Sequence, residues 1–385
     1  MDQMEGITVK TFAYEGAPGH LHSEGLEMFR DRSGIKDTGE GTKPSVLLFL
    51  TGGSEAEAIK HLDPHNFQLL VASGRSNAYA SATEVKAYSN QNNFRNSLFN
   101  LDDPRDLEEL GFTLDVLAAL KNLRGKRLGI VGSESGWLVA SGVEEKVLKE
   151  KLGIEFVRIP WQVAGNYENA EPDEEFIEKF RSGGIFNIED ASRVHSLLKK
   201  VIAHHDLNAV TVECFPMVRE KGVTACLSLS LLNDLGIPAG CEGDISSITG
   251  MMIAQELFGE IPWMANLAGS HDNQVLLAHC TAPSKSLSGF SVNSHFETGK
   301  GTAVQGKFNW QGVTVFRFSN KLDRLFAAYG KAVNDIYEEN ACRTQLRVEL
   351  TEEDSLELKN NPLGNHHLVL PGDRLQQLKI LSRIF

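Results

Sequence analysis

The chain has 385 residues, of which 41% are hydrophobic and 23% charged, with 51 Asp+Glu against 38 Lys+Arg and a formal net charge of −13. That apolar share excludes a mainly disordered chain, and the acidic balance, with no Lys/Arg-rich run to offset it, argues against nucleic acid as a partner. No apolar stretch approaches the roughly 20 residues that span a bilayer, so no membrane partner is expected.

Residues 1–44 are polar and Gly-rich with weak periodicity, and an irregular lead-in is expected there. The opening MDQMEGITVKTFAYEG has neither a basic segment nor an apolar one behind it, so it does not read as a secretory signal. SVLLFLTGG (45–53) is an apolar run ending in a tight Gly turn, which predicts a buried strand whose loop opens a helix, SEAEAIKHL. FQLLVAS (67–73) predicts a second strand, and SNAYASATEVKAYSNQ a helix that Ser76 or Asn77 could cap. LEELGFTLDVLAALKNL (107–123) carries apolar residues at helical spacing. The cycle restarts at 126–160 with strand, Gly/Ser loop, helix and strand. Helices follow near 173–182 and 189–206, then a strand at 208–215. Residues 225–259 read as helix, turn, strand end, acidic loop and helix, and QVLLAHC (274–280) as one more buried strand. Strands alternating with helices imply a parallel sheet covered on both faces.

After about residue 285 the texture changes. GFSVNSHF, GTAVQGKF, GVTVFRFS and TQLRVEL are short, alternating and separated by turns, as in an antiparallel sheet or small barrel. A short helix, DRLQQLKILSRIF, closes the chain. Three domains are therefore expected: 1–125 and 126–285, both α/β, and 286–385, rich in β-structure. The five cysteines (Cys214, Cys226, Cys241, Cys280, Cys342) are odd in number and sit mostly in apolar runs, which suits reduced thiols and a cytoplasmic enzyme.

In open parallel sheets, ligands bind at the carboxyl ends of the strands. TGGSE (51–55), GSES (132–135), CEGD (241–244) and HCTAP (279–283) fall there. The two Ser/Gly loops match neither a phosphate-binding lysine pattern nor the dinucleotide glycine pattern, so they read as tight turns. Glu242 precedes a helix, where a lone acid commonly serves as cap or dipole partner. His279 ends an apolar strand, where a histidine is commonly a hydrogen-bonded structural residue. GNHH (364–367) supplies adjacent histidines, of which an extended chain can turn only one toward a given site. Together Glu242, His279 and one of His366 or His367 make a workable ligand set for Mn²⁺, Co²⁺ or Zn²⁺.

These segments resemble a family. GIPAGCEGDISSITGMMIAQELFG, WMAN, VLLAHC and GNHH, with TGGSEAEAI, SNAYASATEVKAYSNQ, LGIVGSESGWLVAS and ECFPMV, are similar to the L-fucose/L-arabinose isomerase superfamily, nearest to its short L-fucose isomerase-like members, over about residues 45–380. The resemblance implies two Rossmann-like, doubly wound parallel-sheet domains followed by a mostly antiparallel β domain. It implies trimers or hexamers and a divalent metal, usually Mn²⁺, that assists aldose–ketose interconversion of a monosaccharide through an enediol. Glu242 matches the family's acidic metal ligand and acid/base, His279 a ligand of the arabinose branch, and GNHH the late ligand, with His366 and His367 both open. The family's second acid falls at Ala265 or Asn266. Asn266 can bind metal or substrate through its amide oxygen but is a poor base. Asp244 or Asp272 could substitute; Asp244, His279 and Asn266 are the candidates for binding substrate, and Glu242 and Asn266 the candidates for catalysis. The alternatives are a sugar-binding or regulatory protein on the same scaffold, or a different carbohydrate enzyme such as an epimerase or lyase. No clustered Lys/Arg suggests a phosphate clamp, so an unphosphorylated sugar is expected.

Overall fold

A computed structural model describes residues 7–35, 38–39, 44–181, 186–333 and 337–385. The chain forms two compact units, Met1–Ala118 and Ala119–Arg383.

The first unit is built on five parallel strands, β1 (Ile7–Phe12), β2 (Thr38–Gly39), β3 (Val46–Phe49), β4 (Gln68–Ala72) and β5 (Asn96–Asn100), in the order β2-β1-β3-β4-β5. β3 and β4 are buried at every position because both sheet faces are covered. Val46 and Leu48 pack with Phe29 of the helix Gly19–Ser33, while Leu47 and Phe49 pack with Ala78, Ala82 and Val85 of the helix Ala78–Gln91. Alternate residues of one strand thus serve opposite layers. Asn77 stands at the N-cap of the second helix with φ 59°, without a side-chain capping bond. The irregular lead-in expected before residue 45 is overturned: β1 pairs with β3, and a helix follows it. Its polar composition reflects a strand that is only half buried over most of its length.

The second unit opens with four parallel strands, β6 (Arg127–Val131), β7 (Glu155–Ile159), β8 (Ala209–Val212) and β9 (Ala239–Cys241), ordered β7-β6-β8-β9. The helix expected right after the Gly/Ser loop is confined to Glu145–Leu152, its last part a π-turn, and 133–144 is irregular.

The remaining strands are β10 (Trp263–His271), β11 (Gln274–His279), β12 (Leu287–Asn293), β13 (Ala303–Phe308), β14 (Gly312–Phe318), β15 (Leu325–Val333), β16 (Thr344–Glu349) and β17 (His366–Pro371). Six of them close an antiparallel barrel in the order β10-β11-β16-β15-β14-β17, while β12 and β13 form a separate ribbon. Closure leaves the barrel no unpaired edge. Ala265, Val275, Leu277, Val315, Val348 and Val369 recur at alternate positions in one core cluster. QVLLAHC is therefore an antiparallel barrel strand and not a member of the parallel sheet. A short apolar run looks the same in either setting, and only pairing decides. The protein is thus a mixed α/β structure with two parallel sheets and an antiparallel barrel. Among the described residues, no helix is long and apolar enough to cross a membrane.

Candidate active site

The site begins where β9 ends. Glu242 (φ 62°) and Gly243 (φ 69°) both take the left-handed conformation before the helix Ile245–Phe258. For a non-glycine residue this conformation is costly, about 1–3 kcal/mol, and such strain gathers at functional sites. A Cβ on Gly243 would lie 2.4 Å from the carbonyl oxygen of Ser133, so the turn is pressed against the loop after β6. That loop is irregular because it seats the turn: Ser135 N–H donates to the Glu242 carbonyl (3.1 Å), and Ser246 N–H to that of Ser141 (3.0 Å). The helix is capped by Asp244, whose Oδ1 accepts the Ser247 N–H at 2.7 Å. Glu242 is left free of the capping role.

β17 brings His366 to this turn. His366 Nδ1 lies 2.9 Å from Asp244 Oδ2, and its Nε2 lies 3.7 Å from Glu242 Oε1. His366 and Asp244 are both fully buried. The His279 and His366 rings meet edge to face with centroids 5.5 Å apart. A ring nitrogen of His279, a Glu242 oxygen and the Cys241 sulfur lie within 4.8 Å of one another. Trp137 Nε1–H donates to Glu242 Oε2 at 2.7 Å, and its half-exposed ring packs edge-on against Phe215. Arg317, also buried, reaches Asp244 Oδ2 (3.5 Å), Ser247 Oγ (3.2 Å), Ser141 Oγ (2.8 Å) and the His366 carbonyl.

Electrostatics follow from this packing. Burial pushes the Glu242 carboxyl up, but the facing His366 and its charge outweigh it, aided by the Trp137 hydrogen bond, and hold it at about 2. Burial would likewise favour neutral His366, yet its hydrogen bond to Asp244 and the charges of Glu242 and Asp244 raise it to about 9. Asp244, despite burial, is held well below the carboxylate range by His366 and Arg317. His279 is pushed down to about 3 by burial and by the charge of His366.

Of the late histidines, His366 is the one at Glu242. His367 lies across from Ala265 in the barrel register, meets the Phe326 ring edge-on, and donates Nδ1–H to the Asn365 carbonyl at 2.9 Å. Burial and the Arg317 charge push it down to about 3. Alternation along β17 accounts for the division. Asn266 pairs with His366 across β10 and β17, so the two share a face, and its amide oxygen accepts from Asn365 Nδ2. Of the other acids considered, Asp244 is fully buried with both oxygens engaged, Oδ1 by the Ser247 N–H and Oδ2 by His366. Asp272 is exposed in the β10–β11 turn beside His271, six residues along from Asn266, or roughly 20 Å of extended chain.

Sequence reasoning missed Trp137, Arg317 and Glu297. Arg317 had a signal, a cation inside the apolar alternation of GVTVFRF. Trp137 lay within the LGIVGSESGWLVAS segment without marking itself as a partner of Glu242, and nothing singled out Glu297. The Glu297 carboxyl is pushed up by partial burial and by the charge of Glu242.

Glu242 and His366 fit a cation between them. Donors 3.7 Å apart suit an ion bonded to each at about 2.0–2.2 Å. His366 Nε2 is buried with no hydrogen-bond partner among the described residues. A strained carboxylate, a buried imidazole and an aromatic ring thus meet at the end of a parallel sheet, groups able to hold a cation or exchange a proton. The chain is similar to the sulfoquinovose isomerases of Priestia aryabhattai and Priestia megaterium (strain ATCC 12872 / QMB1551), each 26% identical over 386 aligned positions covering 91% of this chain and 86% of the relative. It is also similar to a sulfoquinovose isomerase of Alkalicoccus urumqiensis, 22% identical over 306 positions covering 74% and 69%. No protein-family model matches the chain. These similarities support an enzyme of the isomerase class.

Proposed function

We propose that this protein is a divalent-metal-dependent aldose–ketose isomerase of the L-fucose/L-arabinose isomerase type, with sulfoquinovose, a sulfonated hexose, as its first candidate substrate. The observation that carries the reading is the 3.7 Å pairing of Glu242 with His366 on a strained turn, in a chain similar to sulfoquinovose isomerases over nine-tenths of its length. Glu242 and His366 would hold the ion, with Asn266 on the same face as His366 offering its amide oxygen. Bound there, Mn²⁺ or a similar ion would supply Lewis acidity toward the sugar oxygens.

The chain's own groups account for the rest. Glu242 is ionised at neutral pH, the form needed to take the C2 proton and return it at C1. Asp244 orients His366 and is itself held by Arg317. Trp137 fixes the second Glu242 oxygen and, with Phe215, shields the site from water on that side. Asn266 binds oxygen without transferring protons. The Rossmann-like reading of the two parallel sheets, the division at residues 125 and 285, a cytoplasmic location and a trimeric or hexameric assembly belong to the same proposal.

The test is exchange of the C2 proton in D₂O, followed by NMR, for sulfoquinovose and a panel of unsulfonated pentoses and hexoses, with Mn²⁺ and after chelation. Exchange with at least one sugar, lost on chelation and restored by Mn²⁺, is expected. Binding of sugars without exchange of any would favour a sugar-binding protein and overturn the isomerase reading.

A further inference from the structure

The two imidazoles beside Glu242 are held in opposite tautomers by their neighbours. A backbone N–H can only donate. That of Thr281 lies 3.1 Å from His279 Nδ1, so this nitrogen must keep its lone pair, and the neutral ring carries its hydrogen on Nε2. His366 is the reverse. Asp244 already accepts from the Ser247 N–H and from Arg317, so it meets His366 Nδ1 as an acceptor, and that nitrogen carries the hydrogen. With Nδ1–H committed to Asp244, the nitrogen from which His366 can give up its proton and present a lone pair is Nε2, which faces Glu242 Oε1.

A metal ligand must present a lone pair. His366 Nε2 can do so once its proton leaves, whereas neutral His279 keeps its hydrogen on Nε2. That nitrogen is buried and has no acceptor among the described residues. An unsatisfied buried donor is costly, and a ligand oxygen would relieve it. We propose that His279 is a hydrogen-bond donor to an oxygen of the bound sugar and not a metal ligand, leaving His366 as the imidazole that faces the ion. This departs from the ligand role that family resemblance implies for His279, and it rests on the isomerase reading above. A donor aimed at the C1 or C2 oxygen would stabilise the negative charge that develops there as the C2 proton leaves.

Two measurements test it. In protein labelled with ¹⁵N-histidine, two-bond ¹H–¹⁵N correlations of His279, assigned by their loss in His279→Gln, should show the Nε2–H tautomer both metal-free and with Mg²⁺. An Nδ1–H pattern would overturn the proposal. Mn²⁺ affinity, read by electron paramagnetic resonance of the free ion, should change less than about threefold in His279→Phe. In His366→Phe it should fall at least about 100-fold, and C2 exchange in His279→Phe should slow about 100-fold or more. Equal loss of Mn²⁺ affinity in the two variants would overturn the proposal. Should the wild-type protein bind no divalent ion, the metal clause of the proposed function fails, while the tautomer measurement still decides the role of His279.

Discussion

Glu242 keeps its charge although largely buried, because His366 and Trp137 both face its carboxylate. Replacing it by Gln keeps the volume and removes the proton acceptor. Glu242→Gln should therefore abolish C2 exchange while leaving the melting temperature nearly unchanged, and a variant that still exchanges would remove Glu242 from the chemistry. Asn266→Asp restores an acid on the face that carries His366 and should keep or raise exchange. The proton on His366 also has a consequence for metal binding. Its pKa is raised to about 9, and an ion needs the Nε2 lone pair that the proton occupies. Below that value protons compete with metal, so Mn²⁺ affinity should rise about tenfold per pH unit between pH 6.5 and 8.5. Calorimetric titration at several pH values checks it, and a flat profile would mean that His366 is not displaced from its proton by the ion.

At the scale of elements, Arg317 joins three of them. From β14 it reaches the cap of the helix Ile245–Phe258, the backbone of β17 and the loop that holds Ser141. Arg317→Met would leave Asp244 buried with one cation fewer. Breaking a buried pair from one side costs about 3–5 kcal/mol, so this variant should melt well below wild type and lose the ordered His366 position. Denaturant unfolding would show it, and a change under about 1 kcal/mol would mean that Ser247 and His366 alone satisfy Asp244. The turn after β9 has a similar dependence on one residue. Gly243→Ala brings a Cβ to 2.4 Å from the Ser133 carbonyl in a left-handed conformation. The turn must then move, and the Trp137 bond to Glu242 should break, which its fluorescence would report.

For the whole molecule, histidines set a stability window in the metal-free state. His195, stacked on Phe176 and bonded to Ser228, is pushed down by burial to about 4, and His279 and His367 to about 3. A depressed histidine takes up its proton in the unfolded chain first. Stability is then full above pH 6.5 and falls as the pH drops toward 4. His195 alone contributes roughly 3 kcal/mol across that range. His366 has the opposite sign: its stabilisation is full below pH 6.5 and is lost as the pH rises toward 9. Urea unfolding against pH should give a maximum near pH 6.5–7, and His195→Gln should flatten the acid side alone. The proposed assembly is tested separately by mass measurement in solution, where a trimer or a multiple of three is expected and a clean monomer would overturn it.

What was legible in the sequence was whatever depends on local pattern. The apolar runs at β3 and β4 announced covered parallel strands, the alternation after residue 285 announced antiparallel pairing, and Glu242, His279 and GNHH announced a cluster of ligand-type side chains. Periodicity and turn residues act over a few positions, so one chain suffices to read them. Tertiary structure decided the rest. It moved QVLLAHC from the parallel sheet to the barrel, because an apolar strand does not encode its partner. It turned His366 and not His367 toward Glu242, because the two sides of β17 differ only in what packs against them. It engaged both oxygens of Asp244 and sent Asp272 to a distant exposed turn, although both are acids of the right type. It brought Trp137 and Arg317 to the turn from 105 and 73 positions away. The tautomers of His279 and His366 belong to this second kind: they follow from one backbone N–H and one buried carboxylate, and no spacing in the sequence expresses either.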